Sequence, residues 1–147
     1  MNNHISESLC LSMKDEELSV FFPMLQQGFM LKIQTGYSIK DIICNYLCMS
    51  PEYIEDRIRI AFLDGKPVDD IGSAIVRRGS VVALSAAMPG LVGATFRRGG
   101  HLALFRGSIT HHENEAHPAP QSEGFAVFKL FNLLVKEMGP AFLEKGI

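Results

Sequence analysis

The chain has no tryptophan, and its three cysteines are neither even in number nor set at CxxC spacing. Cys10, Cys44 and Cys48 therefore outline no disulfide framework and read as the reduced thiols of a cytoplasmic protein. A strong excess of one charge is also missing. The net charge of −2 offers none of the basic surplus that a general nucleic-acid binder needs. Nor is any apolar run fit to cross a bilayer: the uncharged stretch Ser80 to Phe96 is broken by Ser85, Pro89, Gly90 and Gly93. The opening residues MNNHISESLCLSMKDEEL lack the basic-then-apolar order of a signal peptide. What remains is a globular composition, 147 residues that are 47% hydrophobic and 20% charged. That suffices for one domain, or for a smaller core with an ordered extension.

Periodicity divides the chain at about Leu18, after a polar and acidic N-terminal segment. Ser19 to Leu25 and Gly28 to Thr35 are β-rich runs separated by Gln26 and Gln27, which predicts a hairpin. Ser38 followed by Asp41 predicts a capped helix start, and Ile39, Ile42, Ile43, Tyr46 and Leu47 make one helical stripe. Cys44 and Cys48 project away from its centre. Ser50-Pro51 begins a second short helical turn. Ile58 to Leu63 reads as a strand ended by the Asp64-Gly65 turn. Ala74-Ile75-Val76 is a short apolar segment, and Ser80 to Ala87 is a buried strand. Beyond Gly90, Leu91–Thr95 and Leu102–Phe105 read as two strands joined by Arg97-Arg98-Gly99-Gly100. Gly107 to Glu123 is a polar loop. The apolar tail from Phe125 passes from strand to helix and is stopped by Gly139-Pro140, with a last turn from Ala141 to Lys145.

From Val20 to about Gly90 this order resembles the β-grasp, or ubiquitin-like, fold. Within it the chain looks most like the sulfur carriers of the molybdopterin-synthase small subunit and thiamine-pathway type. The matching stretches are Gly36-Tyr37-Ser38-Ile39-Lys40-Asp41 at the helix start, Phe62-Leu63-Asp64-Gly65-Lys66-Pro67-Val68, Arg78-Gly79-Ser80-Val81-Val82-Ala83-Leu84, and Met88-Pro89-Gly90 near the carriers' terminal glycines. The resemblance implies an α+β fold: a mixed sheet with one main helix, plus added C-terminal strands and helix. Residues 1–18 form an N-terminal segment and 19–90 the β-grasp core. Residues 91–147 form an extension packed on that core or on a neighbouring subunit. The resemblance also implies a C-terminal glycine whose carboxylate is activated by a partner enzyme. In this chain the candidates, Gly90 and Gly100, are internal amides, so carrier chemistry would require proteolysis.

Three clusters are candidate sites. Arg97-Arg98-Gly99-Gly100 suits a β-turn, in which glycines adopt φ > 0 without steric cost. It also suits an anion site of two guanidiniums and backbone N–H groups, or, at Gly100, a latent carrier terminus. His111, His112 and His117, with Glu113 and Glu115 between them, suit a divalent metal or a solvated loop. Asp64, Asp69 and Asp70 fall at turns, where carboxylates stabilise the turn.

No nucleophile, base and oxyanion donor can be assembled from these residues. The expectation is a non-catalytic binding or scaffolding protein with no cofactor, no membrane and no nucleic acid. It self-associates through its C-terminal apolar segment, where four large buried side chains would contribute about 6–12 kcal/mol before entropy losses. The alternatives are a proteolytically matured sulfur carrier, and an anion- or metal-binding enzyme using Arg97, Arg98 and the histidine-rich loop.

Overall fold

The structure, a computed structural model, describes residues 7–87, 90–107, 109–113 and 120–147. The strongest local signals act as their residues dictate. Ser38 has extended backbone, and its hydroxyl accepts from the Asp41 N–H at 3.1 Å and donates to the Asp41 carboxylate at 2.8 Å. Helix α2, Ile39–Leu47, then buries Ile39, Ile42, Ile43 and Leu47 along one stripe. Ser50 caps α3, Pro51–Arg57, through the Tyr53 N–H, with proline in the first turn. Strands β2, Ile60–Leu63, and β3, Lys66–Val68, form a hairpin in which Asp64 and Gly65 both take positive φ. The Asp64 carboxylate also accepts from the Val81 N–H and the Ser80 hydroxyl, tying that turn to the start of β4, Val81–Ser85.

The result is an α+β fold on a five-stranded mixed sheet in the order β1-β5-β4-β2-β3. Strand β1 is Phe29–Thr35 and β5 is Ser122–Phe131. The pair β4–β5 is parallel and the other three pairings are antiparallel. Alternate residues of these strands feed one core face: Phe29, Leu31 and Ile33 from β1, Ala126, Phe128 and Leu130 from β5, Val82 and Leu84 from β4, and Ala61 and Leu63 from β2. Helices α2, α3 and α5, the last spanning Leu133–Lys145, contribute to this core. Phe142 of α5 meets the rings of Phe29, Tyr46 and Phe128 with centroids 5.2–6.2 Å apart. An Arg57–Glu137 ion pair joins α3 to α5.

Four expectations are corrected. Ser19 to Leu25 is no strand: Asp15–Phe21 is a 3-10 helix that runs into α1, Phe22–Gln27, so the expected N-terminal hairpin does not form. Pro23 explains the outcome, because it fits the first turn of a helix and would cost a ladder hydrogen bond in a strand. Leu91–Thr95 and Leu102–Phe105 are likewise helical, as α4, Gly90–Phe96, and a 3-10 turn at Ala103–Arg106. The sheet is built from five other strands, and these segments satisfy backbone groups within local turns instead. Gly139-Pro140 does not stop α5, which continues through both. Buried Val135, Met138 and Phe142 on either side hold the helix against the core, and a Cβ at Gly139 would lie 2.8 Å from Leu25, so this glycine permits the close approach of α1 and α5. Finally, the single main helix expected in the core is joined, among the described residues, by four other α-helices, of which α5 is the longest.

The division at Gly90 also looks different in three dimensions. The segment assigned to an extension supplies β5, which lies between β1 and β4 and is the sole strand partner of β1 among the described residues. Burial of Phe128, Leu130, Leu134, Val135, Met138 and Phe142 contributes on the order of 9–18 kcal/mol before entropy losses. That is comparable to the whole net stability of a domain, about 5–15 kcal/mol. A chain ending at Gly107 is therefore expected to lose cooperative unfolding altogether. Circular dichroism during urea titration checks this, and a sigmoidal transition in the truncated chain would contradict it.

Candidate functional site

The crossover from β4 to β5 carries most of the residues singled out in the sequence. Met88 and Pro89 lie outside the described residues. Gly90, at φ 77°, opens α4, whose far end sets Phe96 against Phe62 on the outer face of β2, with centroids 5.3 Å apart. The chain then turns through Arg97-Arg98-Gly99-Gly100, where only Gly99, at φ 61°, needs left-handed backbone. This turn joins α4 to the 3-10 helix rather than strand to strand.

The two arginines of that turn differ. Arg97 is exposed. Arg98 directs its guanidinium inward: Nε donates to the Ile58 carbonyl at 2.9 Å, Nη1 to the Asp69 carbonyl at 3.0 Å, and Nη2 to the Ile58 and Glu55 carbonyls and the Glu55 carboxylate. The Arg98 donors thus already serve the C-terminal end of α3 and the Asp69 carbonyl. The Gly99 N–H faces the Asp69 carboxylate at 3.4 Å, an acceptor where an anion site would need none.

Arg106, absent from the sequence candidates, is 2% exposed and anchors the crossover. It donates to the Thr95 carbonyl at 2.7 Å, the Thr110 hydroxyl at 2.8 Å, the Arg97 carbonyl and both oxygens of Asp69. Nothing in its neighbourhood of sequence marks it, since its partners arrive from α4, the end of β3 and the following loop. Asp69 is thus an ion-pair partner, and Asp70 a turn former that accepts from the Gly72 N–H at 2.8 Å.

Farther along, residues 109–113 run back beside β3, with the His111 N–H donating to the Pro67 carbonyl at 2.7 Å. Glu113 is the latch. It accepts from the Ile75 N–H at 3.1 Å, the Arg77 guanidinium and His111 Nε2. Burial alone would raise this carboxyl, but the hydrogen bonds from Arg77, His111 and Ile75 and the charge of Arg77 hold it at about 2. His112 Nε2 instead lies 3.3 Å from the Gly107 carbonyl. Glu115 and His117 lie outside the described residues. Among the described residues, no three His, Cys, Asp or Glu side chains are grouped to hold a metal ion. A polar cleft of about 210 Å³ opens between Asp69, Asp70 and Ser73 on one side and Thr110 to Glu113 on the other. Of its polar side chains, His111 and Glu113 are committed to the latch and Asp69 to the arginine anchor.

The cysteines are placed separately. Cys44 is half-buried against the core, and Cys48 is exposed as the left-handed cap of α2. The surface that sequence reasoning missed is the outer face of the sheet. Beyond the cover given by α4, Met30, Phe125 and Phe131 are 56%, 45% and 38% exposed, with half-buried Val127 and Val81 between them. Each is the outward member of an alternating strand, a signal legible once the strands are known.

Among the described residues, no helix is long and apolar enough to cross a membrane. No family model matches the chain, and neither a curated protein nor a solved structure matches it.

The latch sets a pH response. Because the Glu113 carboxyl titrates lower in the folded chain than its ordinary 4.5, its stabilisation is complete above that value and is lost as the pH falls toward about 2. Glu113→Gln should abolish this dependence and speed hydrogen exchange of the Ile75 amide at neutral pH. Equal exchange in both proteins would show that the carboxylate is not the latch.

Proposed function

We propose that the chain is a circularly permuted β-grasp module that acts by binding protein rather than by catalysis. Strand order carries this reading. A β-grasp sheet has its first and last strands parallel at the centre, the hairpin partner outside the first, and two antiparallel strands outside the last. The order β1-β5-β4-β2-β3, parallel only at β4–β5, meets that description if β5 takes the place of the first strand and β1 that of its hairpin partner. The fold's first strand is then contributed from the C-terminal part of the chain.

The same placement weighs against the processed-carrier alternative. Cleavage after Gly90 or Gly100 would sever β5 from β4 and leave β1 attached to the sheet by no strand of its own fragment. An activated carboxylate would come at the expense of the fold that presents it. The binding reading instead uses the open face, where Met30, Phe125 and Phe131 form an apolar surface beside Lys32 and Lys129. The C-terminal segment enters self-association through this face, because its helix α5 is spent on the chain's own core.

Two measurements test this. The intact mass of the protein from its native cell is expected to be that of the uncleaved chain; a species ending at Gly90 or Gly100, above all as a thiocarboxylate, would establish the carrier alternative. Phe125→Asp is expected to weaken self-association at least about tenfold, read by light scattering across a concentration series, with little change in melting temperature because the side chain is already half in water. An unchanged association constant would remove the open face as the contact.

A further inference from the structure

The two edges of the sheet are unequal. At β3, Pro67 offers no N–H and its carbonyl is taken by His111, so that edge is closed. At β1, among the described residues, the strand pairs with β5 on one side only, and alternate residues of Phe29–Thr35 direct their backbone groups to the other. A groove of about 300 Å³ runs along this free edge, between Ile33 and Gln34 of the β1 side and Ile42, Asn45 and Tyr46 of α2.

The N-terminal arm has the complementary pattern. In Glu7-Ser8-Leu9-Cys10-Leu11-Ser12-Met13, apolar Leu9, Leu11 and Met13 alternate with small polar residues, the period of a strand with one apolar side. The arm lies outside any helix or strand, with Leu9 84% and Leu11 58% exposed. Among the described residues, no backbone hydrogen bond joins it to the sheet of its own chain.

We propose that residues 7–13 of one copy add as a sixth strand to the free edge of β1 in a second copy, antiparallel, with Leu9 beside Ile33. Main-chain hydrogen bonds give such an addition its affinity, and the pockets for alternate side chains give it register. In this register Glu7 faces Thr35, Leu9 faces Ile33, Leu11 faces Leu31 and Met13 faces Phe29. Leu9 enters the groove against Ile42 and Tyr46. Cys10 falls opposite Lys32 on the outer face. The arm ends at Lys14, so the acidic turn Asp15-Glu16 arrives beside Gly28, where Lys129 packs and, among the described residues, pairs with no carboxylate. Length, apolar alternation and charge thus favour the arm of a second copy, and exchange in both directions makes a two-fold dimer.

The register places a native cysteine for the test. Full-length chain carrying Lys32→Cys, with Cys44→Ala and Cys48→Ser to remove the other thiols, is oxidised at micromolar concentration. Directly opposed strand residues lie within the Cα separation that a disulfide spans. The expected product is a covalent dimer with two disulfides, each joining Cys10 of one copy to the thiol introduced at position 32 of the other, identified by mass spectrometry of the cross-linked peptides. Cys10→Ser should abolish it, and Leu9→Asp with Leu11→Asp should lower its yield about tenfold or more. Phe125→Asp should leave it intact, which separates this contact from the open-face contact. The same disulfide formed within one chain would overturn the second copy as the donor. Absence of any link between Cys10 and position 32, in a protein that circular dichroism shows to be folded, would overturn the addition itself.

Discussion

The parallel pairing of β4 with β5 is the constraint on which the rest of the structure depends. β4 ends at Ser85 and β5 begins at Ser122, and parallel neighbours cannot be joined by a tight turn. The chain must travel back along the sheet, and α4, the 3-10 turn and the strap at 109–113 make that journey. A crossover without strands has backbone carbonyls to satisfy. Arg106 meets part of this need at the Thr95 and Arg97 carbonyls, and Arg98 ties the crossover to the Glu55, Ile58 and Asp69 carbonyls outside it. Glu113 closes the path by capping the Ile75 N–H and Arg77 on the other side. Residues that attract attention as chemistry in the sequence are thus largely the fastenings of a long connection.

This explains why local structure was legible and the architecture was not. The Ser38 cap, the α2 stripe, the Ser50-Pro51 start and the Asp64-Gly65 turn each depend on residues within a few positions of one another. Their outcomes match because no distant contact has to decide them. Ser19 to Leu25 and Leu91 to Thr95 have strand-like composition, and only the assembled sheet shows that other segments form its strands. Pro23 was the one local clue, since proline is at home in a first helical turn and not in a central strand. At Gly139-Pro140 the local rule predicts a stop, and burial of Met138 and Phe142 overrides it.

The candidate sites show the same division. Types and spacing picked out Arg97, Arg98 and the histidines, yet spacing along the chain says nothing about which acceptors stand across from them. Arg98 faces the end of α3, His111 faces Glu113, and Arg106, with the least distinctive surroundings in sequence, is the most buried charge among the described residues. A buried guanidinium among carbonyls is a structural commitment, because removing it would strand several acceptors at a cost of about 1–3 kcal/mol each.

What stays uncommitted lies elsewhere. A helical layer needs only one face of a sheet, and here the core face receives α2, α3 and α5 while, among the described residues, α4 packs on the other face at β2 through Phe96 and Phe62. The open end of that face and the free edge of β1 adjoin, since Met30 and Lys32 belong to both. With Pro67 and the strap closing the opposite edge, the sheet's open hydrogen-bonding and apolar surface is gathered on one side. Chain order sharpens this asymmetry, since antiparallel neighbours are commonly joined by a tight turn. Here β5 instead runs into α5 and β1 is approached from α1, so the two strands share a ladder without sharing a loop. Among the described residues the β1 edge is thereby held by strand pairing on its inner side alone.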